Sequence, residues 1–163
     1  MPEQRTLERA QKAKRQGKSP KTQAGEFVRE EIEHVRSGKH GARSTKQAIA
    51  IGLSKARRAG VKLPTPPRGR VSEETRASAA SATRRAGRKP NPRRGRAVRA
   101  ALKREGRAAA SPQALSRQAR AASRARGPRA RSASARKAVR TKGAAGRSTA
   151  AEKAARTRKR RGS

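Results

Sequence analysis

Large apolar residues occur in short periodic runs, and the spacing of those runs predicts helices. Ala24, Val28, Ile32 and Val35 recur at i, i+4, i+8 and i+11, a single stripe along a helix over 23–37 that Gly38 ends. Phe27 flanks the stripe, Glu26, Glu30 and Glu33 take the other side, and Arg29 and Glu33 are spaced for an i,i+4 pair. The turn over 39–43 has a length that joins antiparallel helices. Ser44 and Gln47 then fit a reciprocal capping box, opening a helix to Ala59 that carries Ile49, Leu53 and Ala56. Gly60 followed by Val61 suits a Schellman ending. Two facing stripes make a helical hairpin over 23–63. Ahead of it, residues 1–22 form a basic segment with a charged helix from Thr6 to Gln16, closed by Gly17, and an N-cap signal at Ser19-Pro20.

Beyond Leu63 the large apolar residues thin out. Pro64-Thr65-Pro66-Pro67 reads as a stiff extended linker. A helix that starts at Ser72-Glu73-Glu74 and runs to Ala86 has an interior of Ala, Ser, Thr and Arg with no large apolar residue, and 88–92 breaks it. Gly95 to Glu105 is helical around Val98 and Leu102, Ser111-Pro112 starts another helix, and Gly127-Pro128 stops it. The end repeats with an offset of 16: Ser116, Ser132 and Ser148 align, as do Arg124, Arg140 and Arg156. Each repeat unit reads as a short Ala-rich helix closed by Gly127 or Gly143. Residues 64–110 are thus expected to be a Pro/Gly/Arg-rich linker, and 111–163 an Ala/Arg/Ser-rich repeat tail. The predicted fold class is mostly α and disordered: a small hairpin followed by a low-complexity basic extension that folds on its partner.

Charge says what that partner is. Of 163 residues 47 are Lys or Arg and ten are acidic, a formal net charge of +37, so the chain is expected to meet a polyanion. Residues 1–63 carry sixteen basic and six acidic residues, and 64–163 carry thirty-one and four. Of the 16 Val, Ile, Leu, Met and Phe residues, eleven lie in the first part, which leaves the extension little material for a core. There is no cysteine, hence neither a disulfide framework nor a thiolate metal site. The run Ala48-Ile49-Ala50-Ile51 is too short to cross a bilayer, and the basic helices oppose alanine rather than Leu, Phe or Trp, which argues against a membrane surface. Phe27 is the one aromatic residue, so stacking on single-stranded bases is excluded as a main mode.

Pro67-Arg68-Gly69-Arg70 is the most specific local motif. It resembles the core of the AT-hook, a peptide that lies extended in the A·T minor groove, where glycine lets the backbone sit deep and the arginines run along the groove. Val71 stands where the usual core has proline. Looser versions follow at Gly87-Arg88-Lys89-Pro90 and Pro92-Arg93-Arg94-Gly95-Arg96, and generic phosphate contact is the alternative. The expected nucleic-acid contacts are Arg68, Gly69, Arg70, Arg88, Lys89, Arg93, Arg94 and Arg96, then Arg124, Arg140, Arg156, Arg158, Lys159, Arg160 and Arg161 in the tail.

Catalysis finds no support. Gly17-Lys18-Ser19 echoes the end of a P-loop, but Lys12 replaces the required glycine and no strand precedes it. Ser134 and Lys137 have Ser-x-x-Lys spacing without a pocket. His34 and His40 read as surface residues at a helix end and a turn rather than metal ligands. No enzyme activity, cofactor or metal is expected.

The segment from Glu26-Phe27-Val28-Arg29 through Ser44-Thr45-Lys46-Gln47-Ala48-Ile49-Ala50-Ile51-Gly52-Leu53-Ser54 resembles a family of small, basic, uncharacterised bacterial proteins built around such a helix. That likeness implies no activity. The remainder is similar in composition to the tails of bacterial linker-histone-like nucleoid proteins, which implies DNA compaction. The sequence therefore points to a non-enzymatic, nucleoid-associated DNA-binding protein in the cytoplasm. Structured-RNA binding, as in a ribosome-associated protein, is the alternative. A third reading makes the 23–60 hairpin a docking or self-association module with an electrostatic tail.

Overall fold

A computed structural model describes residues 2–89 and 91–161, with Arg161 described by its backbone alone. The chain is helical along its length: α1 (Gln4–Arg15), α2 (Pro20–Arg36), α3 (Thr45–Arg58), α4 (Glu73–Arg84), α5 (Pro92–Lys103), a 3-10 turn (Ala108–Ala110), α6 (Pro112–Ala125) and α7 (Gly127–Arg161). Among the described residues there is no strand. The expected mostly disordered chain is therefore corrected to an all-helical one. The physical reason is that alanine and arginine are among the strongest helix formers, and most of the helices start on a capping side chain.

Those caps are serine and asparagine side chains. Ser19 Oγ accepts from Thr22 N at 3.4 Å with Pro20 in the first turn, so α2 starts before the expected Gln23. Ser72 Oγ accepts from Thr75 N and Asn91 Oδ1 from Arg93 N and Arg94 N. Ser44 Oγ accepts from Gln47 N at 3.2 Å, but the Gln47 side chain takes the N–H of Arg43 instead of returning the bond to Ser44. The end of α3 is the expected Schellman motif: Val61 N donates to Ala56 O, Gly60 N donates to Arg57 O, and Gly60 has φ +86°.

Residues 1–118 form one compact unit, with α2 against α3, α1 against α2, and α4 against α3. Its core has two clusters. Ala10, Ala24, Phe27, Ala56, Val61 and Leu63 make the first; Ile32, Val35, Ala42, Ala48, Ala109 and Ala110 make the second. Phe27 is fully buried at the centre rather than beside the stripe, and Val28 is only partly buried. On α3 the buried face is Thr45, Ala48, Gly52 and Ala56, so Ile49 and Leu53 sit at its margins. Glu30 and Glu31 are buried as well, and Arg29 pairs with Glu26 at 3.5 Å instead of with Glu33.

The expected linker is part of this unit. Ala79 and Ala82 of α4 are buried, and Gly87 N donates to Arg58 O at the end of α3. Farther on, the chain returns to the hairpin turn, where Gly41 N donates to Leu102 O at 2.8 Å and Ala42 N to Gly106 O at 3.0 Å. Thr45 Oγ1 donates to Ala109 O at 2.6 Å and Arg36 Nε to Ala110 O at 2.9 Å. Small alanines thus supply the burial that large side chains do not.

The second unit, residues 119–163, holds the end of α6 and all of α7. Gly143 (φ 66, ψ −177) interrupts α7, which divides it where the sequence repeat predicts a stop. Ser134, Thr141, Thr149 and Thr157 each donate a side-chain hydrogen bond to the carbonyl four residues earlier, so their hydroxyls are satisfied within the helix.

Candidate nucleic-acid interface

Basic side chains are arranged by helix register. On α5, Arg93, Arg96, Arg99 and Lys103 follow one another at three- and four-residue steps along one side, away from Val98 and Leu102. On α6, Arg117, Arg120 and Arg124 form a stripe at i, i+3 and i+7. The first half of α7 places Arg129, Arg136 and Arg140 at i, i+7 and i+11, with Arg131 and Lys142 on the far side. The helix is basic all round.

Every Lys and Arg side chain from 119 to 160 is exposed, and Glu152 is the one acid in that stretch. In the first unit, Arg29, Lys39, Lys55 and Arg76 pair with carboxylates. Arg140 and Arg156 are exposed on α7 with Arg158, Lys159 and Arg160, and Arg124 is exposed near the end of α6. The side chain of Arg161 lies outside the described residues.

Two of the three AT-hook-like segments take other conformations than an extended peptide. Pro67-Arg68-Gly69-Arg70 is a turn in which Arg70 N approaches Pro67 O at 3.4 Å and Gly69 has φ +75°. Arg68 and Arg70 are both exposed on it. Arg93, Arg94 and Arg96 belong to the start of α5, where the Asn91 cap fixes helical backbone. Arg88 and Lys89 are exposed just beyond α4, and Pro90 lies outside the described residues. What these arginines share is exposure.

A second polar constellation lies inside the first unit, at the end of α2. Glu31 is buried, with its side chain 1 % exposed, and His34 and His40 are 13 % and 11 % exposed, so neither histidine is the surface residue that the sequence predicts. Glu31 Oε2 stands 2.7 Å from Lys55 Nζ, and Oε1 stands 3.2 Å from His40 Nε2. Glu30 receives Lys55 Nζ at 3.1 Å and the Glu3 backbone N–H at 3.0 Å. Burial opposes charge on Glu30, but hydrogen bonds from Thr6 and Glu3 and the Lys55 charge outweigh it and hold the carboxyl below its usual range. Glu3 is held down to about 2 by hydrogen bonds from Lys39 and His34 and by the Lys39 charge. Arg57 is buried too; burial lowers its pKa, and it donates Nη2 to Pro64 O at 3.1 Å while Nε has no partner among the described residues. Sequence periodicity misses this network because most of its pairs are 24 to 36 residues apart.

Residues 6–67 match the model of a protein family described as a "Family of unknown function (DUF6496)". The match spans the hairpin and most of α1, and it supports the likeness of residues 26–54 to an uncharacterised family. No curated protein and no solved structure gives a significant match. No described helix is long and apolar enough to cross a membrane.

Proposed function

We propose that this chain is a non-enzymatic binder of double-stranded DNA that acts by neutralising phosphates with basic helices. The observation that carries the proposal is that every Lys and Arg over 119–160 is exposed, against the single acid Glu152. Charge held outward at that density is stabilised when phosphates replace its counterions.

Helical form favours B-form DNA over RNA. A helix with side chains is about 10–12 Å across, close to the roughly 12 Å width of the B-DNA major groove. There a helix that is basic all round meets phosphates on both walls. The major groove of A-form RNA is deep and narrow and does not admit such a helix. Phe27 is buried, so no aromatic side chain is available for base stacking. Arg68 and Arg70 add two exposed charges from the turn at 67–70, as phosphate contacts rather than as a preformed minor-groove peptide. Competition among A·T-rich duplex, G·C-rich duplex and double-stranded RNA tests the proposal. Both DNA duplexes should displace the RNA, with little difference between them. Tighter binding of the RNA duplex would overturn it.

A further inference from the structure

The Glu31–His34–His40 cluster has a feature that ion pairing leaves unexplained. One ligating atom from each of the three residues lies within 4.8 Å of the others, and the two imidazoles sit edge to face with centroids 6.0 Å apart. His40 Nδ1 is 3.0 Å from the backbone carbonyl of Gly41. A carbonyl oxygen only accepts, so Nδ1 carries the proton of that bond, and a neutral ring presents its lone pair at Nε2. That lone pair faces Glu31 Oε1 at 3.2 Å, lone pair against lone pair. Neither carboxylate oxygen of Glu31 accepts a hydrogen bond among the described residues although both are fully buried, and Lys55 Nζ stands beside Oε2, not Oε1. The surrounding charges leave room for a cation: among the described residues, Glu3, Glu30 and Glu31 meet two ammonium groups, Lys39 and Lys55, and Glu3 Oε1 also stands 2.8 Å from His34 Nε2.

We propose that Glu31, His34 and His40 form a binding site for a first-row divalent cation, Zn2+ being the one their donor set fits. Two imidazoles and a carboxylate are a common three-residue zinc set, with water in the fourth position. The His40 ring is already oriented as metal-bound histidines are, its other nitrogen hydrogen-bonded to a backbone carbonyl. Glu31 would ligate through Oε1 and keep Oε2 on Lys55. Donor atoms of a tetrahedral site stand about 3.3 Å apart for bonds of about 2.0–2.1 Å, so the 4.8 Å spread closes by small side-chain rotations. Bound metal would join the last turns of α2 to the 38–43 turn, the same turn that holds the chain at 102–106.

Zn2+ titration of the full chain, after treatment with a chelator, tests the site by calorimetry and by NMR of the imidazole nitrogens. The chain has only two histidines, so every imidazole signal belongs to the site. Both rings are expected to shift together and saturate at one Zn2+ per chain. Glu31→Gln and His40→Gln should weaken binding at least tenfold while helicity is retained. Rings that shift independently or not at all overturn the proposal, and so does wild-type affinity in a folded Glu31→Gln chain. If a variant fails to fold, the imidazole titration of the unaltered protein decides the matter alone.

Discussion

Gly52 on α3 lies against the backbone of Val28 on α2, so close that a Cβ on Gly52 would stand 2.7 Å from the Val28 Cα. The helix–helix seam is therefore set by backbone contact, and Ala48 and Ala56, one turn to either side, are fully buried in it. Replacing Gly52 by Ala should destabilise the fold by about 1–3 kcal/mol, since backbone cannot move aside as a side-chain tip can. Gly25, on the exposed side of α2, has nothing within 4 Å of the same added carbon. Gly25→Ala should stabilise by about 0.5–1 kcal/mol through helix propensity. Thermal denaturation of the two variants should thus show shifts of opposite sign.

Gly41 makes a second close approach, where an added Cβ would collide with the Glu105 carbonyl. Gly41→Ala should cost about 3 kcal/mol and release residues 102–106 from the hairpin turn. Amide hydrogen exchange at Gly41 and Ala42, which donate to Leu102 and Gly106, should then accelerate.

The docking of 109–110 has its own probe. Thr45→Val keeps the shape of the buried Thr45 side chain but removes the 2.6 Å bond to Ala109 O. A carbonyl left without its donor costs about 1–3 kcal/mol. Urea denaturation should report that loss, and an unchanged midpoint would mean that 109–110 do not stay packed on α3.

Acid should loosen α1 through Glu3. Its pKa falls from 4.5 to about 2 on folding, so the stability it contributes is present above 4.5 and is lost as the pH drops toward 2. Glu3→Gln should remove part of the acid dependence of unfolding between those values, measured with chelator present. An unchanged pH profile would show that the contacts of Glu3 with His34 and Lys39 contribute nothing to folding.

Local signals were legible in the sequence where one residue type performs one local task. Ser19, Ser44, Gly38 and Gly60 start or end helices where their chemistry predicts, and the hairpin of α2 and α3 follows. Burial was legible only in part. The apolar-stripe rule favours large side chains, so it selected Val28, Ile49 and Leu53 beside Ala56, and it passed over Ala48 and Gly52, which pack with Ala56 on the buried face. Glu30 and Glu31 look like solvated charges in a helix, and only their distant partners Lys55 and His40 make burial tolerable. The largest correction, from disorder to helix beyond Leu63, has the same origin. Ala79, Ala82, Ala109 and Ala110 bury small areas that composition does not register as a core.

For the interface, the predicted contact residues whose side chains are described are exposed, but the backbone of two AT-hook-like segments differs from the extended chain expected. The glycines of the AT-hook-like segments suggested extended chain, while Asn91 capped one of those segments into α5 and Gly69 turned another.

The salt dependence of DNA binding by the full chain is the most direct test of the central claim. If the basic helices neutralise about ten phosphates, log K should fall against log[salt] with a slope near −9. A slope shallower than about −3 would mean that few phosphates are engaged, and would contradict the account.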